Sequence, residues 1–382
     1  MKKVRGVLTS AGGMNALASV LAVILGLVAG LVVMLISNPA KAFSGFTNIL
    51  SGGFSSMTNL GHSLRYATPI IMTGLSVGFA GKTGLFNIGA AGQFTSGMFA
   101  SILVALKLSF LPGWLLCPVA VIAGALAGAF WGMIPGMLKA LLNVHEVISC
   151  IMLNYIGMYL VNYLIPLTGI HEVKTNLTMR VPSAAILPSL GLNELFSATV
   201  GSGIVLAIII SVAMYILLEK TKFGYELKSC GFNREAARYA GISENRGIIM
   251  SMVIAGMLAG LGGAFVALSG AGTGIQVIDT LAAEGFNGIP VALLGLFNPI
   301  GIMFSGLLIG YLTQSGFLLQ RLGFSREIID IIVAVIIYFS ALALLLKGLI
   351  QFVFKRTKKE PPKAIEDPKP DSDEAGLEGG DV

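Results

Sequence analysis

The residues best suited to chemistry in this sequence are polar side chains set in apolar surroundings, together with one glycine-rich segment that invites a phosphate-binding reading. That segment is Gly78-Phe79-Ala80-Gly81-Lys82-Thr83. A phosphate loop needs a glycine five positions before Gly81, where this chain has Ser76, and it needs a strand before and a helix after. Here the segment joins two apolar runs, so Lys82 reads as one positive charge in a turn, and no nucleotide or other cofactor is expected to bind the chain itself. His62, His145 and His171 fall in different segments, and neither HExxH nor GxSxG occurs. Cys117, Cys150 and Cys230 are far apart, without zinc or disulfide spacing. The expectation is that the chain is not an enzyme and has no catalytic or metal-binding residue. The remaining candidates are Asn87, Gln93, Asn154, Tyr155, Glu284, Phe286 and Asn287. Polar groups in hydrocarbon are costly unless they face protein or water, so each is a candidate for lining a solute path. The alternative is hydrogen bonding between helices, worth about 0.6–2 kcal/mol per pair. On one helix Asn154 lies about 80° around from Glu146, so both can face one groove. For Glu146 and Glu284 a structural or gating role competes equally.

The elements that must position these residues are membrane helices. Hydrophobic residues make up 55% and charged residues 12% of 382, against about 25% charged in soluble domains. Apolar stretches of about 20 residues match a hydrocarbon core of about 30 Å. They fall at 14–36, 66–80, 87–107, 114–141, 145–165, 200–218, 247–269, 281–297, 299–318 and 328–351. The expected fold is therefore all-α, a polytopic transmembrane bundle of about ten spans. The second and eighth stretches are short and glycine-interrupted, as half-spans would be. Leu85-Phe86-Asn87-Ile88-Gly89 echoes Leu296-Phe297-Asn298-Pro299-Ile300-Gly301, and interrupted helices in corresponding positions suggest an internal repeat. The apolar run near the N-terminus is longer than a signal-peptide core and reads as an uncleaved first span.

Charge orients the bundle. Lys2, Lys3 and Arg5 at one end, and Lys355, Arg356, Lys358 and Lys359 at the other, place both termini in the cytoplasm. The loop 219–246 carries Lys220, Lys222, Lys228, Arg234, Arg238 and Arg246 and falls on the same side, whereas the balanced loop 166–199 falls outside. The chain divides into a membrane domain, 1–353, and a Pro- and Gly-containing acidic tail, 354–382, with too little apolar surface to fold.

Within loop 219–246, Asn233 is placed to cap a short helix, Glu235 sits in its first turn where the helix dipole favours an anion, and Gly241 suits the left-handed stop. Ala236 and Ala237 give that helix a narrow face. Glu235-Ala236-Ala237-x-x-x-Gly241 resembles the coupling loop of ATP-binding-cassette import permeases. Three further stretches sharpen the likeness: Gly78 to Gly89 with Gln93; His145-Glu146-Val147-Ile148 followed by Ile151 to Ile156; and Gly285 to Gly295. Together they are similar to permeases for simple sugars and nucleosides, closest to the bacterial nucleoside branch, over about residues 14–351. The Ile-x-Leu-Pro continuation of the wider loop pattern is missing after Gly241.

The resemblance implies the subunit of an importer in the bacterial cell membrane. Its partners would be a cytoplasmic ATPase that binds the ATP, a second permease of the same or related sequence, and an extracellular substrate-binding lipoprotein. Arg234, Glu235, Ala236, Ala237 and Gly241 would contact the ATPase. Asn and Gln suit the hydroxyls and amides of a nucleoside, and Phe86, Tyr155 and Phe286 suit its ring. Sugar or branched-chain amino acid uptake is the neighbouring reading. A secondary transporter coupled through Glu146, Asp279 and Glu284 is the more distant one, and no nucleic acid partner is expected.

Overall fold

The computed structural model describes residues 11–342 and 348. The basic termini, the acidic tail and the end of the last expected span lie outside the described residues. Helices dominate because the apolar runs lack the alternation of strands, and hydrocarbon forces backbone groups to bond within their own segment. In order they are α1 (Ala11–Ser37), α2 (Pro39–Ser51), α3 (Met57–Lys82), α4 (Ala90–Lys107), α5 (Gly113–Leu142), α6 (Glu146–Leu167), α7 (Leu192–Phe196), α8 (Gly203–Lys220), α9 (Lys222–Phe232), α10 (Arg234–Tyr239), α11 (Glu244–Ala267), α12 (Ala283–Leu294), α13 (Pro299–Leu319) and α14 (Arg326–Ala341). Between α6 and α7, β1 (His171–Glu172) and β2 (Leu177–Thr178) pair antiparallel. Among the described residues six helices are long and apolar enough to cross a membrane: the Val20–Ser37 part of α1, then α5, α6, α8, α11, and α13 with the turn that extends it to Leu322.

The expected short span at 66–80 is instead part of α3, a helix of 26 residues. Its first turns are too polar for a hydropathy window, but they pack on protein. The Ser56 hydroxyl accepts from the Asn59 N–H (3.2 Å), Asn59 bonds Gln314 of α13 (3.4 Å), and Gly61 lies against Phe196 and Ala198. The eighth segment is the short one, with 12 residues in α12. An extended stretch precedes it, held to α6 where Asn162 donates to the Ile278 carbonyl (2.9 Å).

α11 is the centre of the bundle, packed against α3, α4 and α5. Gly124, Gly128 and Gly132 of α5 face Gly256 and Gly260 of α11. Glycines four apart let two backbones touch, which in membranes replaces the missing hydrophobic drive between helices. α3 runs from the end holding loop 166–199, where Gly61 meets Ala198, to the end holding loop 219–246, where Thr83 meets Gly231. The two Leu-Phe-Asn segments do the same local work. Asn87 Oδ1 accepts from the Gly89 N–H (3.1 Å) before α4, and Asn298 Oδ1 accepts from the Ile300 N–H (3.0 Å) at the start of α13.

Candidate functional site

The polar residues singled out above separate into two groups. Asn87, Gln93 and Asn154 are fully buried and bonded to one another's surroundings. The Asn87 amide donates to Ser76 (2.9 Å) and to Gln93 (2.8 Å), and Gln93 donates back to Asn87 Oδ1 (3.1 Å). Asn154 accepts from the Gly92 N–H (2.8 Å) and donates to the Ile88 carbonyl (3.0 Å). This hub ties α3, α4 and α6 together where the chain re-enters the bundle between α3 and α4.

Glu284 and Asn287, one turn apart on α12, line a cavity of about 320 Å³. Its walls come from α3, α11, α12 and α13, and Leu187 and Val200 close it on the side of loop 166–199. Three residues that hydropathy did not single out complete it. Tyr66 and Phe317 stack with ring centroids 5.4 Å apart, and the Arg65 guanidinium lies 5.6 Å from the Tyr66 ring centre. Pro69, also in the wall, has no N–H, so the Arg65 carbonyl lacks its helical donor. The Thr73 hydroxyl donates to the Glu284 carbonyl (2.8 Å) and fixes the start of α12. Phe286, half-buried, is on α12 but not in the wall. The available signal was the pair Arg65-Tyr66 four residues before a proline inside an apolar run.

Tyr155 lies elsewhere, 48% exposed on the outer face of α6 with Tyr159 and Tyr163 at successive four-residue steps. Glu146 forms an ion pair with Lys139 (3.0 Å) across the turn between α5 and α6.

At the opposite end of the bundle from the closing segment, α10 forms as its residues dictate. Asn233 Oδ1 accepts from the Ala236 N–H (3.0 Å). Gly241 has φ +78°, and its N–H and that of Ile242 bond back to the Arg238 and Ala237 carbonyls (both 3.0 Å), which closes the helix in the Schellman manner. Glu235 and Ala236 are exposed, but Ala237 is 3% exposed and turned into the chain's own body. The narrow alanine face is therefore split: only Ala236 is open to a partner, flanked by Phe232 and Tyr239, 88% and 94% exposed. Gly231, just before α10, rests backbone to backbone on Thr83 and Gly84, and Gly81 lies under the Phe297 ring. The Gly81-Lys82-Thr83-Gly84 turn thus sits between the α10 loop and the α12–α13 turn.

Residues 59–341 match the family described as the permease component of branched-chain amino acid transport systems. The chain belongs to this permease family. The guanosine ABC transporter permease protein NupP of Bacillus subtilis is 38% identical over 358 residues, covering 91% of this permease and 97% of that protein. The nucleoside ABC transporter permease protein NupB of Lactococcus lactis is 35% identical over 88% of the permease and 93% of its own length. A glucose ABC transporter permease protein of Haloferax volcanii is 34% identical over 75% and 76% respectively. The permease is accordingly a multi-pass integral membrane protein and a transport subunit.

Proposed function

We propose that the chain is the permease subunit of an ATP-binding-cassette importer for nucleosides, energised by ATP hydrolysed in a partner. The observation that carries the reading is the near full-length similarity to permeases named for guanosine and nucleoside transport. The cavity agrees in chemistry: hydrogen-bonding groups from Glu284, Asn287 and Arg65 suit ribose and base edges, and the Tyr66–Phe317 pair offers a stacking face. We read the bundle as ten spans with α12 as the half-span, a reading that the helices and the charge asymmetry support, and the like bonds of Asn87 and Asn298 to the N–H two residues on support an internal repeat. The buried hub of Asn87, Gln93 and Asn154 acts as a hinge support rather than a solute contact. Tyr155, Tyr159 and Tyr163 form an exposed row along α6, which we read as the face towards the second permease.

The test is uptake of labelled guanosine by cells with and without the gene, challenged with unlabelled nucleosides, ribose, glucose and leucine. Loss of uptake on deletion and competition by nucleosides alone are expected. Competition by a sugar or leucine, with nucleosides inert, moves the assignment to the neighbouring branch.

Docking of the ATPase on α10 leads to a separate prediction. Tyr239→Ala and Ala236→Glu alter only exposed positions, so the bundle should melt unchanged while ATPase co-purification falls about tenfold, the weight of one good aromatic contact at an interface. Ala237→Trp overfills a buried position and should lower the melting temperature as well. Undiminished co-purification with both exposed variants removes α10 from the coupling surface.

A further inference from the structure

The cavity beside α12 holds an acid and a base that are not paired with each other. Glu284 and Arg65 both line it, yet they form no ion pair, and neither has a charged partner among the described residues. Each is partly buried, and among the described residues the Glu284 carboxylate has no partner and the Arg65 guanidinium has only the Tyr66 ring. A ligand that presents two donors beside one acceptor would satisfy both at once. The stacked pair Tyr66 and Phe317 in the same wall adds the requirement that this ligand be flat.

Resting on the nucleoside reading above, we propose that this cavity selects 6-oxopurine nucleosides, with Glu284 as the residue that reads the base. Guanine carries N1–H and a 2-amino group side by side, and its 6-oxo oxygen is the adjacent acceptor. The Glu284 carboxylate accepts from both donors and the Arg65 guanidinium donates to the oxygen, while the purine lies against the aromatic pair. Hypoxanthine keeps N1–H and the 6-oxo oxygen but lacks the 2-amino group. Uracil offers one N–H between two carbonyls and a smaller face. Adenine points a lone pair at N1 towards the carboxylate, and its 6-amino group meets Arg65, a donor against a donor. The order of preference is therefore guanosine, inosine, uridine, then adenosine. Asn287, one turn further along α12, is left for the ribose hydroxyls.

The decisive variant is Glu284→Gln. A glutamine amide donates to adenine N1, where the carboxylate could only repel its lone pair, and loses the charge that holds the two donors of guanine, so selectivity should shift and not merely weaken. Initial uptake rates for guanosine, inosine and adenosine are measured in cells carrying the whole transporter, with permease abundance in the membrane followed in parallel. The extracellular receptor is the same in every strain, so a change in ratio between strains belongs to the permease. The guanosine-to-adenosine ratio should fall about 10- to 100-fold in Glu284→Gln, the range of one or two charge-assisted hydrogen bonds. Glu284→Asp should keep the wild-type order. Arg65→Gln should lower guanosine and inosine together, about tenfold relative to adenosine, and it decides the matter if Glu284→Gln fails to accumulate. An unchanged ratio, or an equal loss for every nucleoside with the protein present at normal amounts, overturns the proposal and leaves Glu284 a structural residue. A wild-type transporter that takes up no nucleoside contradicts the parent reading instead.

Discussion

Replacing Gly260 by leucine is expected to abolish accumulation of folded permease. The position sits where three helices meet. A Cβ there would lie 2.4 Å from the Gly124 carbonyl oxygen and 2.8 Å from the Gly128 Cα, and a Cβ on Gly97 of α4 would lie 2.4 Å from the Gly260 Cα. All of these neighbours are backbone, so no rotamer change can make room, and α11 would have to move away from both α4 and α5. Overfilling a packed site commonly costs about 1–3 kcal/mol when side chains can adjust, and a backbone seam leaves no such adjustment. Folded proteins have only about 5–15 kcal/mol in hand. Leu126→Val, on the exposed face of α5, serves as the control. Membrane abundance and the melting profile of the solubilised protein give the readout. A Gly260→Leu protein that accumulates and melts like the control means that α4, α5 and α11 do not meet at this seam.

Asn87→Leu is expected to have the second largest effect, and on folding before transport. Asn87 bonds Ser76, Gln93 and the Gly89 N–H, all of them buried. Leucine abandons these partners together. Each buried polar group left without a partner costs about 1–3 kcal/mol, so a loss of about 3 kcal/mol or more is expected. Asn287→Leu removes a side chain from a cavity wall, leaves the hub intact and should lower uptake with the amount of folded protein unchanged. If Asn87→Leu assembles normally and only uptake falls, the hub is part of the solute path.

The contrast between those two asparagines marks the limit of what the sequence discloses. Hydropathy locates most of the helices because hydrocarbon thickness fixes their length, and local chemistry sets the ends of α10, where Asn233 caps and Gly241 turns. The polar start of α3 escapes the same reading. Asn59 looks unfit for a membrane until Gln314 of α13 is seen beside it, and Gly61 looks idle until Phe196 and Ala198 are seen against it. Polarity within a span says that a residue avoids lipid, but not whether another helix or the solute replaces it. Asn87 and Asn287 are alike in that respect, and only tertiary contacts separate them. Arg65, Tyr66 and Phe317 come from two helices about 250 residues apart in the chain, so no local pattern brings them together. Ala237 likewise reads as an interface residue until α10 is seen lying on it.

The proposed function has the permease pass nucleosides under the power of a partner's ATP hydrolysis. Its most direct test is guanosine accumulation in liposomes containing the purified complex of permease and ATPase, with receptor added on the outer face. Accumulation should require ATP on the ATPase side and survive a protonophore or sodium ionophore. Glu284, the carboxylate in the cavity wall among the described residues, is with Glu146 and Asp279 one of the groups through which a proton-coupled mechanism would act. Accumulation that proceeds without ATP and collapses with the protonophore would contradict the account and make the chain an ion-coupled carrier.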